Sequence, residues 1–397
     1  MCTGRVKTAY QPVKEKATMN RFLIGTIAMT LMSLSATAQS IEDLNIQFHG
    51  YAAQGFVYTN HNNAFYMDTS DGSAAWTEAV VNISANPTPK LRVGVQGRYW
   101  LLGTTGDEIS LDWATADYKV NDRFGVRFGK VKTPWGLFNE TQDLDPLFLW
   151  TLLPQSIYDI TTRNSDLAHF GGVAYGVVNL GERIGDLNYR LWGGEAIVPK
   201  NDGQFADLSD AGTGPLSAMA YTTLGGALHW DTPIRGLMIG ASDGKANQAN
   251  VQLQGGSEVF APWNNVSYFG RYEKNKWMVA AEWNRRAATG SLNLTGQPPT
   301  RQPGDPRAWY GMASYKVTGK LTAGAYESQM VDHQQLLGPD RYSKDWTVSG
   351  RYDCNQYIYI KAEQHFINGT ALSFENGNNS ALQPTSRLSA LRVGVSF

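Results

Sequence analysis

Nine basic residues stand at alternate positions of strand-like segments, where side chains of one parity share one face of a sheet. Arg and Lys on a confined, partly desolvated surface attract anions, because Coulomb forces strengthen away from bulk water. Acidic residues on the same face of these segments are fewer than the basic ones; they are chiefly Asp112, Glu282 and Glu363. Arg–Glu pairs that only brace a wall give the same pattern, so both interpretations stay open. The nine basic residues are Arg92, Arg98, Arg127, Arg190, Arg271, Arg286, Arg351, Lys361 and Arg392.

Patterns for catalysis are weak by comparison. The segment Gly240–Gly244 matches G-x-S-x-G, but that motif needs a strand-to-helix turn, and here a strand pattern runs into a polar segment. The six His residues are dispersed and form no H-E-x-x-H motif. We therefore expect no enzyme, no cofactor and no metal site.

The elements that would position these residues are short amphipathic strands. In Leu91–Leu101 the apolar and aromatic positions alternate with Arg92, Gln96 and Arg98, as in a β-strand with two different faces. A soluble β-sandwich gives the same alternation in any one strand. Here the pattern recurs along the chain, and it closes the sequence at Leu391–Phe397 with an aromatic last residue.

The connecting segments alternate between short and long. This alternation is typical of outer-membrane barrels, which have short periplasmic turns and longer extracellular loops. Seven turns and eight loops separate sixteen strands, so we predict an all-β, transmembrane antiparallel barrel wide enough for an aqueous lumen. The predicted turns are 86–90, 121–123, 180–185, 231–236, 273–276, 317–320 and 353–356; the predicted loops are 59–74, 103–107, 132–168, 196–216, 243–256, 288–306, 332–341 and 368–383.

The amino-terminal segment is an export signal. Arg21 precedes a largely apolar core, and Ala36–Ala38 forms an A-x-A cleavage site. We predict that residues 1–38, an extension plus signal peptide with Met19 as the expected start, are removed, and that residues 39–397 form the barrel. After cleavage Cys354 is the single cysteine, which excludes an internal disulfide.

Composition agrees with a barrel and excludes one class of partner. Aromatic residues make up 12% of the chain and Gly is abundant at 41, as interfacial girdles and crowded strands require. The formal net charge is −1, and the basic leader makes the remainder more negative. This balance gives no sign of nucleic-acid binding.

The longest connector, Lys132–Ala168, is unusually apolar for an exposed loop. An apolar loop packs on something, which leaves a lid, a subunit contact or a loop that folds inward and narrows the lumen. If the loop folds inward, its charged and aromatic side chains would border the narrowest part of the lumen, the constriction. These are Lys132, Glu140, Asp143, Asp145 and Trp150.

The segment Val126–Pro146, followed by Leu153–Tyr158, resembles the strand-plus-loop signature of the porin-like family that includes the phosphate-selective porins O and P. The shared pattern is FG-(R/K)-x-K-x-P-x-G-L-(Y/F)-N-E-T-x-D, read here from Phe128. The resemblance implies a homotrimeric outer-membrane porin whose third extracellular loop, Lys132–Ala168, folds inward. It does not imply phosphate selectivity, because no cluster of Lys residues aligns.

The sequence thus predicts a bacterial outer-membrane porin, surrounded by outer-membrane lipid, that passes small hydrophilic solutes. The excess of inward basic residues predicts a preference for anions. Two other classes stay open: a barrel hydrolase, with Ser242 as its candidate nucleophile, and a surface adhesin.

Overall fold

The computed structural model describes residues 44–397, except for residues 336, 375 and 376. The predicted signal peptide lies outside the described residues, so its cleavage stays a prediction. Within the described part of the chain, helices are short, and none has the length and apolar character needed to cross a membrane. Two α-helical turns are present, α1 (Arg163–Leu167) and α2 (Ala206–Asp210), with 3-10 turns at Asp145–Leu147, Gly203–Phe205 and Pro339–Arg341.

Antiparallel β-strands make up most of the described chain. They are β1 (Gln47–Thr59), β2 (Ser73–Thr88), β3 (Leu91–Leu102), β4 (Thr105–Asn121), β5 (Phe124–Lys132), β6 (Ala168–Asn179), β7 (Asp186–Val198), β8 (Met219–Asp231), β9 (Leu237–Ala246), β10 (Ala249–Leu253), β11 (Gly256–Phe260), β12 (Trp263–Lys274), β13 (Trp277–Leu294), β14 (Thr300–Gly304), β15 (Pro306–Lys316), β16 (Leu321–Asp332), β17 (Tyr342–Asp353), β18 (Ile358–Asn368) and β19 (Thr385–Ser396).

Sixteen of these strands form a closed antiparallel ring, which confirms the prediction of an all-β barrel of sixteen strands. Each strand pairs with its neighbour in chain order, apart from three short strands, and β19 returns to pair with β1 from Tyr51↔Ser396 to Thr59↔Leu388. Closure satisfies the backbone groups that a sheet edge would leave unpaired. The three short strands, β10, β11 and β14, extend the wall at the end of the barrel where the long loops lie.

Two predicted loops contain short strands of their own, which corrects the prediction that they are loops throughout. The predicted loop 243–256 begins inside β9 and contains β10, which forms a hairpin with β11 around Gly255 at φ +81°. The predicted loop 288–306 begins inside β13 and contains β14. β10 alternates apolar and polar residues but is only five residues long, whereas β14, also five residues long, is mostly polar and contains a Pro and a Gly.

The two faces of the barrel wall differ in polarity. On β13, Trp277, Val279 and Trp283 are exposed by 54%, 45% and 37%, whereas Glu282 on the other face is buried. An exposed apolar and aromatic face suits contact with lipid. The other face, called the buried face below, carries most of the charged and hydrogen-bonding side chains.

An apolar core lies between the buried face and the segment Lys132–Ala168, called the β5–β6 loop below. Loop residues Trp135, Phe138 and Trp150 pack in one cluster with Trp192 of β7 and Tyr310 of β15. A second cluster joins Leu152 to side chains of β1, β2, β3 and β19. The apolar content of this loop is therefore matched by apolar side chains of the wall.

Candidate functional site

The β5–β6 loop is held by hydrogen bonds from wall side chains to its backbone. The Glu363 carboxylate of β18 accepts the backbone N–H groups of Thr151 at 2.8 Å and Leu152 at 2.9 Å. Arg351 of β17 donates to the carbonyl oxygens of Pro146 at 2.5 Å and Phe148 at 2.9 Å. Such charge-assisted bonds are stronger than bonds between neutral groups, so they fix the path of the loop.

Aromatic and carboxylate side chains also hold the loop against the wall. Tyr158 donates its hydroxyl proton to Glu282 of β13 at 2.6 Å and accepts the backbone N–H of Phe138 at 2.8 Å. Trp150, predicted to border a constriction, is buried and packs edge-on against Tyr326 with ring centroids 5.1 Å apart. Its indole is therefore part of the packing between loop and wall.

Glu78 of β2 is the centre of a buried charge network. Its carboxylate lies 3.1 Å from Arg163 of the loop, 2.7 Å from Arg392 of β19 and 3.9 Å from Arg98 of β3. Arg98 also lies 3.5 Å from Asp112. Burial opposes the charge on Arg163, but Glu78 and the nearby aspartates outweigh it and raise the pKa of that guanidinium.

Asp145 of the loop joins the same network. It lies 3.0 Å from the ammonium of Lys361 and 3.2 Å from the guanidinium of Arg392. Burial alone would raise the pKa of Asp145, but Arg392 and Lys361 hold it below its ordinary value. The carboxylate of the predicted loop residue Asp143 forms an ion pair with the ammonium of Lys132, with Oδ1 and Nζ 2.5 Å apart. The backbone carbonyl of Asp143 accepts a hydrogen bond from the hydroxyl of Tyr51.

Three of the nine predicted basic residues are therefore covered by the loop. The exposed fraction of Arg98 is 2%, of Lys361 0% and of Arg392 2%. In this structure they brace the contact between loop and wall and are out of reach of a solute. The sequence could not separate bracing from solvent-facing arginines, because that depends on where the loop lies.

Four more of the nine basic residues are half-buried and paired with acids. Glu140 of the loop lies between two of them, 3.6 Å from Arg127 and 3.4 Å from Arg190, and Arg127 is also 3.0 Å from Asp117. The other two pairs are Arg286–Asp166 at 2.7 Å and Arg351–Asp353 at 2.9 Å.

The last two basic residues, Arg92 and Arg271, are exposed. Arg92 donates one hydrogen bond, to Ser84 at 3.1 Å, and lines a cavity of about 240 Å³ with Arg127, Lys132 and Glu140 among others. Arg271 makes no side-chain hydrogen bond or ion pair within the described part of the chain.

Arg271 lines a second cavity of about 440 Å³ near the short turns. Its charged residues are Arg271, Lys276, Lys316 and Arg351, against Glu273 and Asp353. Cations outnumber acids there, so an anion entering this space meets a positive local charge.

Ser242 lies in β9 and is followed by another strand, not by the helix that the hydrolase motif requires. Its hydroxyl is buried and accepts the backbone N–H of Gly136 at 2.9 Å. Within residues 44–397 as described, no His contacts Ser242 and no group of three His, Cys, Asp or Glu side chains is arranged to hold a metal ion. Ser242 therefore helps to hold the β5–β6 loop against the wall.

Several site residues did not emerge from the sequence. Glu78 shares the parity of buried Trp76 and Val80 on β2, so strand parity could have placed it on the buried face. Arg163 and Tyr158 lie in a loop, where no periodicity marks the direction of a side chain. Their partners are 85 and 124 residues away in the chain.

Comparison with known proteins gives structural matches only. No protein-family model matches the chain, and neither does any curated protein. The outer membrane protein OmpT of Vibrio cholerae in its trimer form matches with a TM-score of 0.52 and 12% identity, covering 89% of this chain and 99% of its own.

Two further structures match similarly. The outer membrane channel DcaP of Acinetobacter baumannii has a TM-score of 0.55 and 11% identity, and OmpF of Salmonella typhi in complex with daunomycin has 0.54 and 13%. Each covers 90% of this chain and 99% of its own. At these identities the likeness shows the fold, a closed sixteen-stranded barrel of the type found in outer-membrane channels.

Proposed function

We propose that this protein is an outer-membrane porin that passes small hydrophilic solutes and prefers anions. One observation carries the proposal: sixteen strands close into a ring that is apolar on its exposed face and charged on its buried face. A ring of this size suits a passage across a lipid bilayer, with polar groups along the lumen.

The β5–β6 loop is the constriction of this channel. Arg163 binds Glu78 of β2, while Tyr158, five residues earlier, binds Glu282 of β13. Strands β2 and β13 stand on opposite sides of the ring, so a short piece of loop reaching both supports a path across the lumen. The loop then divides the lumen and leaves passages beside it.

Solutes pass the exposed arginines rather than the covered ones. Arg92 and Arg271 keep most of their N–H donors free and lie on the two cavities near the short turns. Arg98, Lys361 and Arg392 act as braces and set the background charge. The paired acids reduce the positive field, which is why the preference for anions is modest.

The same fold supports a proposal for assembly and location. OmpT of Vibrio cholerae is a structural match in a trimer form, and the loop signature from Phe128 onward resembles that of trimeric porins. We place this chain in the outer membrane as a homotrimer, exported by the predicted signal peptide. The loop signature does not extend to phosphate selectivity.

The test is single-channel current in a planar lipid bilayer, with the reversal potential measured under a KCl gradient. Steady channels with an anion-selective reversal potential support both the pore and its lining. Cation selectivity would retain the pore and refute the assignment of Arg92 and Arg271. Folded protein that forms no channels would refute the porin proposal itself.

A further inference from the structure

A notch with three arginines lies on the exposed face of the barrel, away from the lumen. It forms where β13 changes partner, from β15 at Arg285↔Arg307 to β14 at Ala288↔Gly304. The change of partner leaves a cavity of about 250 Å³ between the strands. Arg285 follows the parity of exposed Trp283, so it belongs to the exposed face.

A buried carboxylate fixes two of these arginines. Asp305, exposed by 7%, accepts Nε of Arg285 at 2.6 Å and Nη2 of Arg307 at 2.8 Å. Hydrogen bonds from Arg285, more than any other contact, lower the pKa of Asp305 to about 2. The carboxylate is therefore charged at neutral pH. Asp332 accepts the backbone N–H of Asp305 at 3.0 Å and holds the turn in place.

The guanidinium groups keep donors that face solvent. The side chains of Arg285 and Arg307 are exposed by 45% and 42%, and each guanidinium has five N–H donors of which Asp305 uses one or two. Arg301 of β14 lines the same cavity and is exposed, with no side-chain hydrogen bond or ion pair to any described residue. Three cations therefore line the cavity, two of them bound to Asp305, and Asp332 is held next to Asp305 through its backbone.

The notch lies just beyond an outward aromatic pair. Trp283 and Trp309 face each other across β13 and β15, exposed by 37% and 38%, and Tyr268 stacks on Trp283 at 5.8 Å. Outward aromatic residues mark the membrane–water interface of a barrel. Arg285 and Arg307 stand two residues nearer the long loops than this Trp pair, about 7 Å along the strand, at the level of lipid headgroups.

We propose that this notch binds the phosphate-bearing headgroup of an outer-leaflet lipid. Two guanidiniums fixed by one carboxylate keep free N–H donors of the kind that bind phosphate oxygens, and Arg301 adds a third positive charge to the same cavity. The inference rests on the proposed outer-membrane location, with the long loops outside.

The experiment measures binding of fluorescent diphosphorylated lipid A to the detergent-solubilised full-length protein. We expect R285A/R307A to bind about tenfold more weakly or worse, because two charge-assisted contacts are lost. A matched control is Arg235→Ala, which removes an exposed arginine in the β8–β9 turn at the opposite end of the barrel. The control should bind lipid as the unaltered protein does. Heat-modifiable gel mobility reports folding of each variant.

Several outcomes would overturn the proposal. They are unchanged affinity in folded R285A/R307A, equal affinity for the dephosphorylated lipid, and displacement by inorganic phosphate at concentrations comparable to the lipid. A changed oligomeric state in R285A/R307A would instead assign the notch to a contact between copies.

The conductance of the same preparations separates this inference from the proposed function. We expect R285A/R307A to conduct as the unaltered protein does. Protein that binds lipid A through these arginines but forms no channels would refute the porin proposal and leave the lipid site standing.

Discussion

Two groups of arginines on the buried face have the same parity in their strands but opposite surroundings. Beneath the β5–β6 loop, Arg98 and Arg392 are 2% exposed and share Glu78. Near the short turns, Arg92 and Arg271 are exposed, and the described residues offer them no acid within ion-pair distance. The comparison shows that strand parity gives a side chain its face, while the position of the loop decides whether that side chain is buried in ion pairs or open to solvent.

Charge matching under the loop follows from the cost of burial. A charge moved out of water is tolerated when an opposite charge and hydrogen bonds replace the lost solvent. Glu78 and Asp145 provide that replacement for Arg98, Arg163, Arg392 and Lys361. The exposed arginines keep their hydration and need no partner, so they stay available to ions in the surrounding water.

The largest effect should come from removing the centre of the buried network. Replacing Glu78 by Ala leaves three guanidiniums without their shared carboxylate, and an uncompensated buried charge costs about 3–5 kcal/mol of unfolding free energy. Urea unfolding in lipid vesicles, followed by tryptophan fluorescence, measures the loss. Glu182→Gln, in an exposed turn, is the control and should be neutral. Equal stability of the two variants would contradict the bracing role.

Deleting Leu147–Leu153 tests whether the loop occupies the lumen. The deletion removes Trp150 and the backbone groups that Glu363 binds, so the passage should widen. We expect single-channel conductance to rise several-fold in folded protein. Glu363→Gln, which keeps an acceptor for one of the two backbone N–H groups, should change conductance less. Unchanged conductance after the deletion would place the loop outside the lumen.

The exposed arginines should control selectivity without affecting the fold. The interaction energy between a unit charge and an ion about 4 Å away is about 1 kcal/mol in water. That energy corresponds to a change of about fivefold in relative permeability. We expect R92A/R271A to lower the anion-to-cation permeability ratio by up to that factor. Unfolding in urea should stay near that of the unaltered protein. A selectivity equal to the original would remove these two residues from the solute path.

A smaller, local effect should come from Asp202, a buried carboxyl without a cation. Its Oδ1 accepts the backbone N–H of Gln204 at 3.2 Å, and Oδ2 has no hydrogen-bond partner among the described residues. Burial raises the pKa of Asp202 to about 8, above its ordinary value of 3.8. Between these two pH values the folded state holds a proton that the unfolded state has released, so stability falls as pH rises through that window.

Amide hydrogen exchange of the β7–β8 connection at pH 6 and pH 9, corrected for intrinsic rates, tests this prediction. The unaltered protein should lose protection at the higher pH, whereas Asp202→Asn, which keeps the Oδ1 acceptor and cannot ionise, should not. Asp71→Asn, at an exposed position, is the control. Equal loss of protection in all three proteins would show that Asp202 does not ionise in this window.

The fold could be predicted because its signal repeats. Alternation of side chains in segments such as Leu91–Leu101, with turns at regular intervals, reports local backbone geometry, and sixteen repetitions outweigh errors in any one strand. The boundaries near β10 and β14 were missed because each strand is only five residues long and β14 lacks hydrophobic alternation. The candidate site was predicted only by face, as the contrast between Arg98 and Arg92 shows.

The strand pattern, the order of short and long connections and the face of each basic residue could be read from the sequence alone. These features depend on neighbours along the chain. Tertiary structure alone decided which charges meet. Glu78 finds Arg392 across the closing seam of the barrel, 314 residues away, and finds Arg163 through the course of the loop. Such pairings depend on ring closure and loop path, and these are set by the packing of the whole molecule.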